Sequence, residues 1–319
     1  MKIAVLSDIH GNLPALRKVL EDARRRGADE YIVAGDLCIS GPDPDACISM
    51  LRQLDHAHII RGNEERYLES LTGQDPAGWT DGQMQVSYWC FRNITKDNLR
   101  YLLSLPHTAE LVRNGVTIRV AHAADAFLGD YGTGRWTSNV LSERYRGKEM
   151  DPEILSREVF GESAKDPEFR RRVSALRDGV YIFGHSHVQW QLRPEGRNIC
   201  LINPGSCGLP LDGEKDSIPY TMLTVSGNGR VETEQLRIPF DKKAYVAYLK
   251  STEQYAQANV WSRVIIRELL AAREHVIFFL RFAERYAEAI GDTERPFSVQ
   301  TWENAYKAWE SSPECNADI

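Results

Sequence analysis

The sequence lacks any hydrophobic run long enough to cross a membrane. Its longest apolar stretch, residues 276–280, has five residues, whereas a spanning helix needs roughly 18. No charged leader followed by a long apolar core precedes the first predicted strand, so no signal peptide is expected. We therefore expect a cytoplasmic protein that does not bind a membrane.

Closely spaced cysteines and an excess of positive charge are also absent. The six cysteines are scattered, and no two are spaced C-x-x-C, which argues against a disulfide scaffold and a thiolate zinc site. The 39 Lys and Arg residues against 45 Asp and Glu residues give a net charge of −6. That balance argues against an extended surface for nucleic acid, although a local basic groove is still allowed.

Strand and helix patterns alternate over the first 61 residues. Apolar runs predict strands at residues 2–6, 31–34 and 57–61, and helical periodicity predicts helices at 13–26 and 44–54. Asp43 followed by Pro44 is a favourable start for the second helix. Alternation at this pace indicates an α/β fold with right-handed crossovers.

The later segments divide into a hairpin, an insertion, further strands and a helical end. Residues 67–105 are mostly helical, and strands at 108–112 and 116–121 flank the turn Asn114-Gly115. Residues 124–178 have no strand pattern, which predicts a surface insertion containing short helices. Strands resume at 180–183, 188–193, 198–202, 220–225 and 231–238. Residues 241–290 and 298–309 are helix-forming, so we place a boundary near residue 240, between a domain at 1–240 and an α-helical extension at 241–319.

Side chains that bind metals follow five of the predicted strands in order. They are Asp8 and His10 after the first strand, Asp36 after the second, Asn63 after the third, His122 after the hairpin, and His185 and His187 after the strand at 180–183. Such strand ends converge on one crevice of an α/β sheet. Each residue alone has an ordinary explanation, such as a helix cap for Asp8 or a turn for Asn63, but all of these would have to hold together.

The donor types indicate two metal ions. Seven donors exceed the four of a tetrahedral zinc site, and mixed carboxylate, imidazole and amide donors suit Mn²⁺, Fe²⁺, Zn²⁺ or Ni²⁺ better than Ca²⁺. Asp36 is a good bridging ligand because its two oxygens can face different ions. Two ions about 3.5–4 Å apart bind a phosphoryl group and acidify a water for in-line attack.

These motifs together resemble the calcineurin-like metallophosphoesterase superfamily, and more closely its small prokaryotic phosphodiesterase branch. The motifs are DIHGN at residues 8–12, GD at 35–36, GNEE at 62–65, AHA at 121–123, GHSH at 184–187 and NPGS at 203–206. The resemblance spans about residues 1–240. It implies a four-layer αββα sandwich of two mixed β-sheets, and the chain adds an α-helical extension to it.

The resemblance also implies a set of ligands for each metal. It assigns the first metal to Asp8, His10, Asp36 and His187, and the second to Asp36, Asn63, His122 and His185. A bridging water or hydroxide is the implied nucleophile, so Asp36, Asn63 and His122 act in catalysis through it.

The sequence departs from the family pattern at Glu64 and Ala123. Many relatives carry histidine at the position of Glu64, where it assists the leaving group, and often glycine at the position of Ala123. Glu64 either takes part in catalysis or, with Glu65, begins the next helix, where carboxylates suit the helix dipole. We favour the helix start, and we expect less general-acid help for poor leaving groups.

The resulting hypothesis is a dimetal-dependent hydrolase of small phosphate esters, favouring phosphodiester or nucleotide-type substrates over monoesters. One alternative is a non-catalytic metal- or nucleotide-binding regulator, and another is a protein Ser/Thr phosphatase, which Glu64 disfavours. The arginines of the insertion either contact substrate phosphates or form a solvated face. The extension is interpreted as helices docked on the sandwich, with a dimer surface or a lid as alternatives.

Overall fold

The computed structural model describes residues 1–316, in which ten strands form two five-stranded sheets. The strands are β1 (Lys2–Leu6), β2 (Glu30–Val33), β3 (Ala57–Ile59), β4 (Thr108–Arg113), β5 (Val116–Ala121), β6 (Gly179–Ile182), β7 (Gln189–Leu192), β8 (Ile199–Pro204), β9 (Ser217–Val225) and β10 (Val231–Pro239). Every predicted strand is present, with ends that differ by a few residues.

Both sheets mix parallel and antiparallel neighbours. The first sheet has the order β10-β9-β1-β2-β3, with β1, β2 and β3 parallel and β9 and β10 antiparallel additions at one side. The second has the order β4-β5-β6-β8-β7, with β5, β6 and β8 parallel and an antiparallel strand at each edge. The parallel strands at the centre of each sheet place their carboxyl ends at a common edge.

Alternating side chains divide each sheet between two hydrophobic cores. In β1, Ile3 and Val5 pack into the core between the sheets, whereas Ala4 and Leu6 pack under the outer helices. Successive side chains of a strand point to opposite faces, so a run that is apolar at every position can fill both cores. The sheets therefore pack face to face with helices outside, and the predicted αββα sandwich is confirmed.

The helices of the first half are close to their predicted positions. They are α1 (Leu13–Arg25), α2 (Pro44–Arg52), α3 (Glu64–Leu71), α4 (Gln85–Asn93) and α5 (Lys96–Ser104). Asn12 caps α1, because its Oδ1 accepts a hydrogen bond from the amide of Ala15 at 3.1 Å. Asp43 precedes α2 as predicted but does not cap it with its side chain. Its carboxylate instead accepts a hydrogen bond from the Tyr248 hydroxyl at 2.7 Å.

The insertion contains the predicted short helices but is more than a surface feature. Its helices are α6 (Asp125–Leu128), α7 (Ser138–Arg144), α8 (Pro152–Leu155), α9 (Gly161–Ser163) and α10 (Pro167–Ser174). Trp136 is 1% exposed and its ring lies 4.7 Å from that of Trp190 on β7. The insertion thus forms an outer layer over the second sheet. Its aromatic side chains pack in the core between that layer and the sheet.

The extension is helical but is divided more finely than predicted. It contains α11 (Lys242–Lys250), α12 (Glu253–Gln257), α13 (Asn259–Ala271), α14 (Val276–Ile290), α15 (Val299–Glu310) and α16 (Pro313–Asn316). The expectation of continuous helix-forming sequence at 241–290 overlooks a break at Ala272, whose φ is 53°. Beyond that break, the guanidinium of Arg273 donates to the Tyr145 carbonyl at 2.9 Å, and Glu274 accepts from the Ser138 hydroxyl at 2.7 Å.

The extension is docked on the sandwich, as the sequence interpretation favoured. Tyr245 and Leu249 of α11 and Leu269 of α13 belong to the core beneath the first sheet. A second core within the extension surrounds Phe279 and Trp309. No helix within residues 1–316 is both long enough and apolar enough to cross a membrane.

Candidate metal centre

The seven predicted donor side chains meet at one edge of the sandwich, where the central parallel strands end. They lie on the loops that follow β1, β2, β3, β5 and β6, and they are Asp8, His10, Asp36, Asn63, His122, His185 and His187. Two groups of them, Asp8 with His10 and His187 and Asp8 with Asp36 and His122, bring their donor atoms within 4.8 Å of one another. The structure therefore brings together in space the donors that the sequence supplies from positions 8 to 187.

His10 and His187 point one ring nitrogen each at the same place. The Nε2 atoms of the two rings are 3.0 Å apart. The Nδ1 of His187 donates to the carbonyl of Leu209 at 2.8 Å, so a neutral ring carries its lone pair on Nε2. Burial lowers the pKa of His187 well below its ordinary value, with the nearby charge of His10 acting in the same direction. This ring therefore favours the neutral form and presents Nε2 to the centre.

His122, Asn63 and His185 form the other half of the cluster. His122 bonds the carbonyl of Ala34 through Nδ1 at 2.7 Å, and its Nε2 faces the Asn63 Oδ1 at 3.0 Å. The same Asn63 oxygen lies 2.8 Å from the Nδ1 of His185. Burial and the neighbouring His122 lower the pKa of His185. Asn63 thus has its carbonyl oxygen between two imidazole nitrogens.

The two carboxylates lie among these rings and have opposite pKa shifts. Burial raises the pKa of Asp8 to about 6, although His122 opposes that shift. Burial also disfavours the charged form of Asp36, but His122 outweighs it, and the pKa of Asp36 lies below its ordinary value. Burial lowers the pKa of His122, yet the charges of Asp36 and Asp8 outweigh burial and raise it to about 10. The site therefore favours positive charge beside its carboxylates.

Five of the seven donors have a left-handed backbone conformation. The φ angles are 53° at Asp8, 51° at His10, 53° at Asp36, 67° at His185 and 56° at His187. A positive φ is uncommon for residues other than glycine, and such conformations cost about 1 kcal/mol or more each. They persist because surrounding contacts determine them, and strain of this kind concentrates at functional sites.

Two glycines allow the donor loops to approach one another. A Cβ added at Gly62 would lie 2.0 Å from the Oδ1 of Asp36, and one added at Gly184 would lie 1.9 Å from the Oγ of Ser7. Either contact is far inside van der Waals distance and would displace the carboxylate or the neighbouring loop. The glycines of the GNEE and GHSH motifs therefore allow the donors to come together.

Glu65 is a functional residue that the sequence interpretation treated only as part of a helix start. Its carboxylate is fully buried and accepts from three backbone amides: Asp36 at 3.1 Å, Leu37 at 2.8 Å and Gly62 at 2.7 Å. These bonds tie the loop after β2 to the loop after β3. The only sequence signal for this role is the position of Glu65 in the GNEE motif. The motif does not reveal the partners of Glu65, which lie 3 to 29 residues away.

Glu64 both begins α3 and contacts the metal-donor cluster. Its Oε2 lies 2.9 Å from the Nδ1 of His10, and its amide donates to the Oδ1 of Asp36 at 2.9 Å. Burial, followed by the charges of Asp36 and Glu65, raises the pKa of Glu64 well above its ordinary value. The structure thus confirms the helix start and adds a contact that fixes the ring of His10.

The NPGS motif supports the donor loops from behind. The side-chain amide of Asn203 donates to the Gly184 carbonyl at 2.8 Å and to the Ser186 hydroxyl at 2.9 Å. The Ser206 hydroxyl donates to the carbonyl of Asp8 at 2.7 Å. Residues at the end of β8 and directly after it therefore fix the loops that carry Asp8, His185 and His187.

Most arginines of the insertion are paired with carboxylates of the same region, whereas Arg170 donates to the carbonyl of Ala164. Arg172 contacts Glu168 at 2.6 Å and Asp130 at 2.7 Å. The other pairs are Arg135 with Asp166, Arg144 with Glu162, Arg146 with Glu143, and Arg171 with Glu168. These pairs favour the solvated-face interpretation over contact with a substrate phosphate.

The residues present fit divalent cations. The donor atoms lie close together, with the Nε2 of His122 3.0 Å from the Oδ1 of Asn63 and 3.2 Å from the Oδ2 of Asp36. Carboxylate, imidazole and amide donors are the types that bind borderline divalent metals. His187 and His122 each bond a backbone carbonyl through the other ring nitrogen, the usual way in which a metal-binding histidine is oriented.

Comparison with sequence families and known proteins identifies one domain type. The sequence model of the calcineurin-like phosphoesterase superfamily domain matches residues 1–228. An uncharacterised protein of Methanocaldococcus jannaschii is 26% identical over 264 residues, which is 78% of this chain and 92% of that protein.

Two solved structures share the fold over most of their length. A metallophosphoesterase from Sphaerobacter thermophilus is similar with a TM-score of 0.58 at 20% identity, covering 85% of this chain and 99% of that one. A hypothetical protein from Pyrococcus horikoshii OT3 has a TM-score of 0.57 at 14% identity, covering 84% and 97%. At these identities the likeness concerns the fold.

Proposed function

This chain belongs to the calcineurin-like phosphoesterase superfamily, and on that premise we propose that it is a metal-dependent hydrolase of small phosphate esters. The observation that carries the proposal is the convergence of seven donor side chains, from five loops, on one edge of the sandwich. Holding five of these donors in a strained backbone conformation is costly, which supports a chemical role over a merely structural one.

The donors divide into two sets that share Asp36. The first set is Asp8, His10, Asp36 and His187, and the second is Asp36, Asn63, His122 and His185. Donor atoms of Asp36 lie within 4.8 Å both of a His10 nitrogen and of a His122 nitrogen, which supports Asp36 as the bridging ligand. Two divalent cations bound there would neutralise phosphate charge and lower the pKa of a bound water.

The chain's own residues then have distinct tasks. Asp36 and Asp8 supply the negative charge that makes the site favour cations, and Asn63 contributes a neutral oxygen between the two imidazoles. Glu64 and the carbonyls of Ala34 and Leu209 orient the histidine rings. In the proposed reaction solvent is the nucleophile, and Asp36, Asn63 and His122 act by positioning it against the phosphorus.

The substrate class follows from the residue next to Asn63. Glu64 stands where many members of the superfamily have histidine, and its carboxyl group is occupied by His10. An imidazole acid for the leaving group is therefore missing at that position, and such help is typically worth about 10²–10⁴-fold. We propose phosphodiesters and nucleotide-type esters as substrates before phosphomonoesters or phosphoproteins.

The proposal is tested with metal-stripped protein and bis-p-nitrophenyl phosphate. We expect hydrolysis after addition of Mn²⁺, Fe²⁺, Zn²⁺ or Ni²⁺ and none without a metal. Asp36→Asn should lose turnover because it weakens both sets of donors, whereas Asp55→Asn, at an exposed position outside the cluster, should keep it.

Two outcomes would contradict the proposal. Full activity of Asp36→Asn would overturn the assignment of the centre. Metal binding at the donors without hydrolysis of any diester, monoester or phosphopeptide would favour a non-catalytic regulator.

A further inference from the structure

An apolar pocket adjoins the metal centre on the side of α3. It has a volume of about 100 Å³. Its lining includes Ile39, Glu64, Tyr67, Val86, Trp261 and Leu280. Glu64 belongs both to this lining and to the donor cluster, where it contacts His10, so the pocket begins where the metal centre ends. We call this space the extension pocket, because Trp261 and Leu280 belong to α13 and α14.

Trp261 is attached to the loop that follows Asp36. Its indole N–H donates to the Ser40 hydroxyl at 3.2 Å. Ile39 and Ser40 have φ angles of 62° and 72°, which is a strained conformation for a β-branched residue such as isoleucine. A Cβ added at the next residue, Gly41, would lie 2.3 Å from the carbonyl of His10. The loop that holds Trp261 therefore packs directly on a donor loop of the metal centre.

The extension also contacts the part of the lining that Gln83 supplies. Gln83, which lines the pocket, accepts a hydrogen bond through its side-chain oxygen from the amide of Phe297 at 3.1 Å. Gly82 donates to the Phe297 carbonyl at 2.9 Å. Tyr67, which is 50% exposed, forms the outer edge. The pocket is thus lined by two aromatic rings, by aliphatic side chains and by the side-chain amide of Gln83.

We propose that the extension pocket binds the planar ring of a phosphate ester whose phosphate lies in the metal centre. The proposal rests on the hydrolase function above and names its substrate class as nucleotide or aryl esters. An indole and a phenol ring beside a site for phosphate suit a ligand with a charged end and a flat apolar end, because rings stack on aromatic side chains. The match to the superfamily domain ends at residue 228, so Trp261 and Leu280 lie outside the matched domain.

The test measures binding to the Mn²⁺-loaded protein by calorimetry, with ligands that keep the acidic group and change the other end. The ligands are methylphosphonate, hexylphosphonate, phenylphosphonate and AMP. We expect phenylphosphonate and AMP to bind at least about tenfold more tightly than methylphosphonate, the effect of one stacked ring. Tighter binding of AMP than of phenylphosphonate would indicate a nucleobase, and the reverse an aryl group.

Matched variants locate the preference in the pocket. Leu280→Ala should reduce the ratio of phenylphosphonate to methylphosphonate affinity, whereas Ile290→Ala, an exposed apolar position on the same helix, should preserve it. Trp261→Ala should reduce the ratio most. Because Trp261 is half-buried, Tyr67→Ala serves as a second aromatic variant at an exposed position, and thermal unfolding verifies that each protein is folded.

The outcomes separate this inference from the proposed function. Equal affinity of the wild type for phenyl- and methylphosphonate would overturn the proposed role of the pocket. An unchanged ratio of these two affinities in both Trp261→Ala and Tyr67→Ala would also overturn it. Hexylphosphonate binding as tightly as phenylphosphonate would overturn the planar ring in favour of an alkyl chain. Ring-selective binding without hydrolysis of any ester would support the pocket and contradict the hydrolase.

Discussion

The chemistry of the donor cluster depends on which nitrogen of each imidazole is free. His187 and His122 each donate one ring N–H to a backbone carbonyl, which directs the other nitrogen to the centre. His10 differs, because its second nitrogen faces the carboxyl group of Glu64. The partner of His10 is thus a side chain, which can be replaced by mutation, whereas a backbone carbonyl cannot. The orientation of His10 can therefore be tested by replacing Glu64.

Replacing Glu64 should weaken metal binding without removing a donor. In Glu64→Ala the ring of His10 loses its partner, and we expect metal affinity to fall about 10–100-fold, as for other residues that orient a ligand. Glu64→Gln keeps an acceptor oxygen and should lose less. Calorimetric titration of the metal-stripped variants with Mn²⁺ measures both losses of affinity. Wild-type affinity in Glu64→Ala would show that Glu64 serves only the helix start.

Asp22 provides a pH-dependent contribution to stability far from the centre. Burial raises the pKa of Asp22, but hydrogen bonds from Tyr220, Arg25 and Arg26 outweigh it and lower the pKa to about 2, from 3.8. A carboxyl group with a lowered pKa in the folded state stabilises the protein above its unfolded pKa. The stabilisation is lost as the pH falls from about 4 towards 2, and it amounts to about 2 kcal/mol when complete.

Urea unfolding of wild type and Asp22→Asn tests this contribution. At pH 7 the variant should be less stable by about 2 kcal/mol, and the difference should shrink between pH 4 and pH 3. Glu21→Gln, an exposed acid on the same helix, should show little difference at either pH. A gap that stays constant with pH would exclude the ionic contribution.

At the scale of elements, the loops after β2 and β3 are joined through one buried carboxylate. Glu65 accepts three backbone amides, and its removal leaves all three unpaired in a buried place. An unpaired buried group costs about 1–3 kcal/mol, so Glu65→Ala should lower the free energy of unfolding by about 3 kcal/mol or more. Glu69→Ala, on the same helix but with a half-exposed side chain, should change it by less than about 1 kcal/mol.

Chemical denaturation of the two variants measures that difference, and metal titration adds a second readout. Glu65→Ala should also bind metal more weakly, because Asp36 lies on one of the two loops. Stability and metal affinity that match Glu69→Ala would show that the three amide bonds are dispensable.

Local pattern predicted the strands and the donors, because both depend on short-range sequence. Buried central strands are continuous apolar runs, and the donors directly follow them. The break at Ala272 was not predictable in this way, since residues 271–290 remain helix-forming and the break is accompanied by contacts of Arg273 and Glu274 with the distant insertion. The burial of Trp136 likewise depends on Trp190, which lies 54 positions later in the chain.

At the scale of the whole molecule, the fold class and the convergence of the seven side chains followed from the sequence, whereas the extension pocket did not. Its lining combines Tyr67 from α3 with Trp261 and Leu280 from the extension, which lie 194 and 213 positions later in the chain. Only the docking of α13 and α14 on the sandwich brings them together. The role of Glu65 was equally hidden, because two of its three partners are backbone amides of the loop after β2.

The packing of the whole chain should protect all of its thiols. The six cysteines are free and buried, and burial raises the pKa of Cys38, Cys47 and Cys207, which disfavours the reactive thiolate. We expect Ellman's reagent to react slowly with the native protein and to titrate six thiols in guanidinium chloride. A thiol that reacts rapidly in the native state would identify a segment that opens without global unfolding.

The separation of donors and pocket walls along the chain has a practical consequence for redesign. Every proposed metal donor lies at or before His187, and the extension residues that line the pocket begin at Trp261. Because Tyr245, Leu249 and Leu269 of the extension also complete the core beneath the first sheet, a redesign should keep those helices and replace only the side chains that line the pocket. The proposed selectivity is thereby open to laboratory evolution at a few extension positions, with every proposed donor left in place.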